Sequence, residues 1–352
     1  MTIMKNLLLF LLVLVWCGIV NAQSPMLTDK VMDMESMCQK TVMQAILPVE
    51  AEVAFTSVII IETETGKVLA NLNLSRSGDE WVEDDDHEVA ANHTRLALYL
   101  ALLESGATPS DRFYSSGLYA DESGVFVKDR SRSHGGYGNI RLAEAVTRSD
   151  VSLIEACAQQ FDLSMGKYAY YFSLTGFRLS KIPKEKKYED FLTEYEGTAW
   201  NPAVVLGYQS KVTPLEMARW IEGVANHGVV KSDSEVLCSI NCGSQHIDSL
   251  QFVLRDNVLY GTAKKVSSNE IPVSGACLIS PENGQGYLTA TFLGYTPTYT
   301  IVVNVEGNLP VIRSIPVDVA RKVVNWIAKH RLGMNNQTNM YEHKRKLPRG
   351  VD

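Results

Sequence analysis

The predicted strands of this chain fall near its two ends, and most of the predicted helices fall between them. Residues 53–74, "VAFTSVIIIETETGKVLANLNL", combine a β-branched run, a turn at Glu64–Lys67 and a second run, which predicts a hairpin. Three further strands are predicted at 271–280, 286–295 and 298–305. This order predicts one α+β domain, with a mostly antiparallel sheet built from N- and C-terminal strands and helices covering both of its faces.

Apolar residues at helical spacing predict the helices that cover this sheet. They fall at 31–50, 88–106, 141–161, 164–175, 214–227 and 317–330. The helix at 88–106 starts with a polar group, Asn-His-Thr-Arg at 92–95, and then runs through apolar residues to Gly106. Four hydrogen-bonding side chains at the start of an otherwise apolar helix indicate a cap, a site, or the remnant of a site.

Composition excludes some classes of partner. Hydrophobic residues make up 45% of the 352 residues and charged residues 21%, which is ordinary for a globular protein with a large core. The net charge of −7 argues against a nucleic-acid partner, because that function requires clustered Lys and Arg. Only "EHKRKLPRG", near the C-terminus, is locally basic, and we expect residues 333–352 to form a disordered polar tail.

The N-terminal segment 1–22, "MTIMKNLLLFLLVLVWCGIVNA", is typical of an export signal. Lys5 precedes an apolar run that is short for a membrane span, and small residues before Gln23 fit cleavage after Ala22. Lipidation at Cys17 is disfavoured because Trp16 stands where a small residue is needed, whereas an uncleaved anchor is the second interpretation. We therefore expect a mature domain at 23–332, exported to the periplasm or the outer face of the inner membrane.

Five cysteines remain after cleavage, so at least one thiol cannot pair within a monomer. Cys238 and Cys242 could form a local disulfide in "CSINC". A zinc site there would need two more ligands, and only His246 lies near. We expect no cofactor and no metal, and small buried thiols elsewhere.

Six segments, taken in chain order, carry a family resemblance. They are "IIIETETGKVLA", "LALYLALLESGATPSD", "HGGYGNIRLAEAVTRSDVSLIEACAQQFD", "VVLGYQSKVTPLEMARWIEGVANHGVV", "LRDNVLYGTAKKV" and "TATFLGYTPTYTIVVNV". Together they resemble the transpeptidase domain of penicillin-binding proteins, the serine acyl-transferases that cross-link peptidoglycan. The resemblance spans about residues 35–330 and implies the α+β fold shared with the serine β-lactamases.

The resemblance implies three motifs around one cleft. Ser-x-x-Lys places a nucleophile and its base one helical turn apart, so that the amine can take the hydroxyl proton. Ser-x-Asn supplies a proton shuttle and an amide that holds the substrate. Lys-Thr-Gly lies on an edge strand, where it binds the substrate carboxylate and helps to form the oxyanion hole.

The first motif position is degenerate in this chain. Counted back from Gly106, it falls on residues 92–95. Asn92 replaces the nucleophile, and its amide cannot form an acyl-enzyme. Arg95 replaces the base, and a guanidinium is not deprotonated under ordinary conditions.

The other two motif positions are degenerate as well. The second falls on Arg-Ser-Asp at 148–150, so that Arg148 replaces Ser and Asp150 replaces Asn. The third falls on Ala-Cys-Leu at 276–278, where Ala276 and Cys277 replace Lys and Thr. The sequence therefore predicts that no catalytic motif is intact.

Shifted registers do not restore the chemistry. Thr94 has a hydroxyl, but Ala97 rather than a base follows three residues later. A literal Ser-x-x-Lys at 164–167 and a literal Ser-x-Asn at 267–269 are interpreted as chance matches, because motifs this short recur in long chains. Cys277, on a strand of apolar neighbours, is interpreted as an inert core thiol.

The replacement residues suggest roles of their own. In the family fold the motif Lys reaches toward the second motif, so we hypothesise that Arg95 forms an ion pair with Asp150. The alternative is that Arg95, Arg148 and Asp150 are solvated charges in an open groove. Asn92 is predicted to cap its helix, because Asn is a favoured N-cap residue, and Gly106 to end it.

Three functions follow from this interpretation. The first is an exported, catalytically inactive relative of the transpeptidases that binds or scaffolds cell-wall components, with peptidoglycan or wall-synthesis proteins as partners. The second is an active D,D-transpeptidase or carboxypeptidase that uses non-standard residues. The third is a structural interaction protein unrelated to peptidoglycan. The motif losses favour the first, because serine acyl transfer without Ser and Lys keeps only the benefit of binding.

Overall fold

The computed structural model describes residues 25–120, 126–177, 187–280, 287–308 and 311–330. The predicted export signal at 1–22 and the predicted tail at 333–352 lie outside these residues. Within the described ranges, no helix is both long enough and apolar enough to cross a membrane.

The helices and strands are numbered here in chain order. The α-helices are α1 Pro25–Ile46, α2 Thr94–Glu104, α3 Leu142–Arg148, α4 Asp150–Gln160, α5 Met165–Leu174, α6 Tyr188–Glu194, α7 Pro202–Val205, α8 Pro214–Ala225, α9 Ser244–Tyr260 and α10 Ile315–Lys329. The strands are β1 Val53–Glu62, β2 Lys67–Ser77, β3 Glu80–Glu83, β4 Val89–Ala90, β5 Arg112–Ser115, β6 Leu118–Ala120, β7 Phe126–Lys128, β8 Gly138–Arg141, β9 Lys211–Val212, β10 Val229–Ser232, β11 Glu235–Ser239, β12 Ser274–Ile279, β13 Leu288–Tyr295 and β14 Tyr299–Gly307.

A six-stranded antiparallel sheet in the order β12-β13-β14-β1-β2-β3 forms the centre of the fold. The two ends of the chain meet where β14 pairs with β1, with Val58 opposite Val303. The predicted sheet built from N- and C-terminal strands is therefore confirmed.

Helices cover both faces of this sheet, as predicted. Alternate residues of β1 point to opposite faces, so Val58 and Ile60 pack with α1 and α10, whereas Ile59 and Ile61 pack with α2, α8 and α9. Because both faces of the sheet are buried, most residues of β1 are apolar or β-branched, and the strand does not alternate between apolar and polar residues.

Two helix predictions need correction, and one helix was not predicted. The helix predicted at 88–106 begins only at Thr94, because Val89 and Ala90 instead pair with β9. The helix predicted at 141–161 is two helices, separated by the extended backbone of Ser149. Helix α9 was not predicted, although its buried apolar residues do recur at helical spacing: Ile247, Leu250, Val253, Leu254 and Val258.

Candidate functional site

A cleft of about 390 Å³ lies between the β12 edge of the sheet and the starts of α2 and α4. Four of the six residues predicted to occupy the motif positions line it: Arg95, Arg148, Asp150 and Cys277. Asn92 and Ala276 do not appear on its wall. The fold thus brings the three motif positions together, but it turns two of the replaced side chains away from the cleft.

Arg95 and Asp150 form the predicted ion pair. Arg95 Nη2 lies 2.6 Å from Asp150 Oδ2, and the same nitrogen donates to the Ile279 carbonyl at 3.1 Å. The two side chains are only 16% and 11% exposed, so water screens the pair little. The solvated-charge interpretation is wrong for this pair, because each charge is covered and has a direct partner.

Tyr208 completes this cluster. Its hydroxyl donates to Asp150 Oδ2 at 3.1 Å. Burial raises the pKa of Tyr208 far above its usual value, and the neighbouring Asp150 carboxylate adds to the rise. Tyr208 therefore stays protonated and donates to a carboxylate that Arg95 also neutralises.

Asn92 does not cap its helix, so that prediction is wrong. The N-cap residue of α2 is His93, without a side-chain cap. Asn92 is 6% exposed and its Nδ2 donates to the Thr289 carbonyl at 3.0 Å and to Thr291 Oγ1 at 2.9 Å, both on β13. A buried amide needs partners, and the polar groups of the sheet supply them where the helix start does not.

The two side chains between Asn92 and Arg95 are also buried. Thr94 Oγ1 donates to the Ala91 carbonyl at 2.7 Å, so this hydroxyl closes the start of α2 and is not free to react. The ring of His93 stacks on Phe177 with 4.5 Å between centroids, and Trp220 lies 5.3 Å away. Burial lowers the pKa of His93 to about 3, against an opposing effect of the Phe177 backbone.

A buried network that the sequence did not reveal fixes the second motif position. Asp129 Oδ2 accepts from Ser149 Oγ and from Ser115 Oγ, each at 2.5 Å, and Asp129 Oδ1 accepts from the Val151 N–H at 3.1 Å. Ser149 Oγ in turn accepts from the Ser152 N–H at 2.9 Å, as the N-cap of α4. These bonds hold the first turn of α4 and thereby place Asp150 opposite Arg95, whereas Arg148 stays exposed.

The third motif position lies on the edge strand β12. Ala276 is fully buried, whereas Cys277 is half-buried and lines the cleft. Because side chains alternate along a strand, only one of the two can face the cleft. Cys277 packs against the core but also lines the cleft, which the interpretation as an inert core thiol did not predict.

Sequence comparison identifies the family. The model of the penicillin-binding protein transpeptidase domain matches residues 56–327, which is most of the chain. The chain belongs to this transpeptidase family. It is thus a transpeptidase-like domain related to peptidoglycan synthesis, as the sequence resemblance implied. No curated protein sequence matches it significantly.

Solved structures with the same fold come from the same group of proteins. A peptidoglycan glycosyltransferase from Burkholderia ambifaria has a TM-score of 0.62 at 15% identity, covering 86% of this chain and 96% of its own. The TP domain of penicillin-binding protein 3 from Burkholderia pseudomallei has a TM-score of 0.62 at 15% sequence identity, and the match covers 87% of this chain and 96% of that domain. A peptidoglycan synthetase from Bifidobacterium adolescentis has a TM-score of 0.63 at 13% sequence identity, and the match covers 85% of this chain and 61% of the synthetase.

The literal motifs elsewhere in this transpeptidase domain have structural roles. Ser164 caps α5, where its Oγ accepts from the Lys167 N–H at 3.3 Å, and the Lys167 ammonium pairs with Asp162. Ser268 Oγ, in the literal Ser-x-Asn, accepts from the Glu270 N–H at 3.1 Å in a loop. Neither segment lines the cleft, which agrees with their interpretation as chance matches.

The cysteines of the transpeptidase domain do not form the predicted local pair. Cys238 and Cys242 are unpaired, and Cys242 Sγ lies 3.6 Å from the Leu174 carbonyl. His246 Nδ1 lies 2.6 Å from Glu104 Oε1, so it pairs with a carboxylate. In the described part of the chain, no group of three or more His, Cys, Asp or Glu side chains is placed to hold a metal ion.

Proposed function

We propose that this chain is an exported, non-catalytic member of the penicillin-binding protein transpeptidase family that acts as a binding or scaffolding module at the cell wall. The orientation of Asn92 carries this proposal. The side chain at the predicted nucleophile position is an amide that donates into the sheet, to Thr289 and Thr291.

The base position supports the same conclusion. Serine acyl transfer needs a neutral amine or a similar base beside the nucleophile. Arg95 is a permanent cation, and its Nη2 is already bonded to Asp150 and to the Ile279 carbonyl. An enzyme without its nucleophile and base retains only what binding and an oxyanion hole contribute.

The residues at the third motif position also support the proposal, because they do not supply the contact that the family makes with a substrate carboxylate. Ala276 is buried and Cys277 carries no positive charge, so neither can bind a substrate carboxylate as the motif Lys and Thr would. Export, cleavage after Ala22 and a periplasmic location rest on the N-terminal sequence pattern. Peptidoglycan and wall-synthesis proteins are proposed as partners because the family acts on peptidoglycan.

Labelling with a fluorescent penicillin, followed by intact mass spectrometry, tests the proposal. We expect no covalent adduct on this chain under conditions that label an active penicillin-binding protein in the same tube. An adduct on any residue would overturn the proposal and favour an active transpeptidase with non-standard residues. Co-sedimentation with purified peptidoglycan then separates a wall-binding module, which sediments, from an interaction protein unrelated to peptidoglycan, which does not.

A further inference from the structure

The outward edge of β12 is already occupied by side chains. Four successive outward-facing carbonyls each accept one hydrogen bond from a different residue. The pairs are Val273 with Arg255 Nη1 at 2.9 Å, Gly275 with Asn257 Nδ2 at 3.0 Å, Cys277 with Thr262 Oγ1 at 3.2 Å, and Ile279 with Arg95 Nη2 at 3.1 Å. An extended peptide that adds to a sheet edge needs those carbonyls as acceptors. Such a peptide would compete with four side chains for these carbonyls.

The described wall of the cleft beside this edge carries more positive than negative charge. Its described wall has four cations against two carboxylates, in a chain whose net charge is −7. Asp150 is satisfied by Arg95 and Tyr208, and Asp129 by two serine hydroxyls and a backbone N–H. The carboxylates of the wall are therefore already engaged.

Three of the four cations on the wall have side chains that remain available to bind a ligand. Lys128 at the end of β7, Arg148 at the end of α3 and Arg313 in the 3-10 turn Val311–Ser314 are exposed. Within the described part of the chain, none of them forms an ion pair or a side-chain hydrogen bond. They come from three separate elements and converge on one cleft of about 390 Å³, a volume suited to a small molecule.

We propose that this cleft binds a compact oxyanion ligand, with two or more carboxylate or phosphate groups, through Lys128, Arg148 and Arg313. Guanidinium groups match both kinds of acid group with paired, charge-assisted hydrogen bonds, and the lysine adds a point charge. The occupied edge of β12 disfavours recognition of an extended peptide by strand addition. The inference rests on the proposed function, because it assigns a ligand class to a cleft that binds without catalysis.

Isothermal titration of the full-length chain with citrate and with pyrophosphate, at constant ionic strength, tests this inference. Acetate serves as the single-charge control, and a blocked hexapeptide of alternating Val and Thr tests strand addition. We expect citrate, pyrophosphate or both to bind, and acetate and the hexapeptide not to bind. Binding of citrate alone would identify the acid groups of the ligand as carboxylates, and binding of pyrophosphate alone would identify them as phosphates.

Variants locate the binding. Lys128→Ala, Arg148→Ala and Arg313→Ala are each expected to weaken binding about tenfold, the effect of losing one charge-assisted contact. Lys40→Ala removes one exposed charge from α1, on the opposite face of the sheet, and should leave binding unchanged. All four changes are at exposed positions, so circular dichroism should show folded variants, and Arg148→Glu provides a second test by charge reversal.

The inference is overturned if neither anion binds, if Lys40→Ala weakens binding as much as the cleft variants do, or if the hexapeptide binds. Its failure is distinguishable from failure of the proposed function. A penicillin adduct overturns the proposed function whatever the titration gives. A chain that neither binds these anions nor reacts with penicillin overturns only the ligand assignment.

Discussion

The Arg95 guanidinium and the Asp150 carboxylate lie 2.6 Å apart and join the predicted first and second motif positions across the cleft. Arg95 is in the first turn of α2 and Asp150 is in the first turn of α4. The pair therefore ties together the starts of these two helices.

The first prediction concerns the energy of this pair. Arg95→Ala or Asp150→Ala should lower the free energy of unfolding by about 3 kcal/mol, because each leaves a largely buried charge without its partner. Urea unfolding of both single variants and the double variant measures the coupling. Arg141 and Glu144 are the matched control, at the same 2.6 Å but 51% and 32% exposed. Their coupling should stay below about 1 kcal/mol, and equal couplings would contradict the prediction.

The second prediction concerns the amide of Asn92. Asn92→Ala removes a donor from the Thr289 carbonyl and from Thr291 Oγ1, both buried, so stability should fall by about 2 kcal/mol. Thermal and urea unfolding provide the measurement. Asn325→Ala changes the same residue type at an exposed position on α10 and should have little effect. If Asn92→Ala left the stability unchanged, the contacts with the sheet would not be what holds this side chain.

The third prediction concerns restoration of the first motif. The double variant Asn92→Ser, Arg95→Lys recreates Ser-x-x-Lys in sequence. We expect no penicillin adduct, because the side chain at 92 points to β13 and the new lysine would face Asp150, which favours its charged form. Intact mass after incubation with penicillin measures the outcome. Adduct formation by the double variant, but not by Arg95→Lys alone, would show that residue 92 can reach the cleft.

The fourth prediction concerns pH. His93 has a pKa lowered from 6.5 to about 3 in the folded chain, so between these values the unfolded chain binds the extra proton. Stability should therefore fall as pH drops through this window, by at most about 1.4 kcal/mol per pH unit from this group. His93→Leu should show a flatter dependence on pH below 6.5 in urea unfolding. His134→Leu changes an exposed histidine and should keep the wild-type dependence of stability on pH. The same dependence in wild type and in His93→Leu would contradict a lowered pKa of His93.

The sequence predicted the features that depend on pattern and failed on those that depend on tertiary partners. Strand pairing across the chain ends and the Arg95–Asp150 contact followed from element order and from the family resemblance. The role of Asn92 did not, because an asparagine at a helix start can serve the helix or the sheet, and only packing decides. Asp129 was missed because its partners, Ser115 and Ser149, share no motif with it and meet only in the folded chain.

The occupied edge of β12 also has a consequence for how the chain folds. Three of the four capping side chains, Arg255, Asn257 and Thr262, come from α9 and the turn after it, and the fourth comes from α2. Without α9 and the turn after it, the β12 edge would lack three of these four side chains, and an exposed strand edge can pair with another copy of the chain. Docking of α9 therefore also protects this edge of the sheet against pairing between copies of the chain.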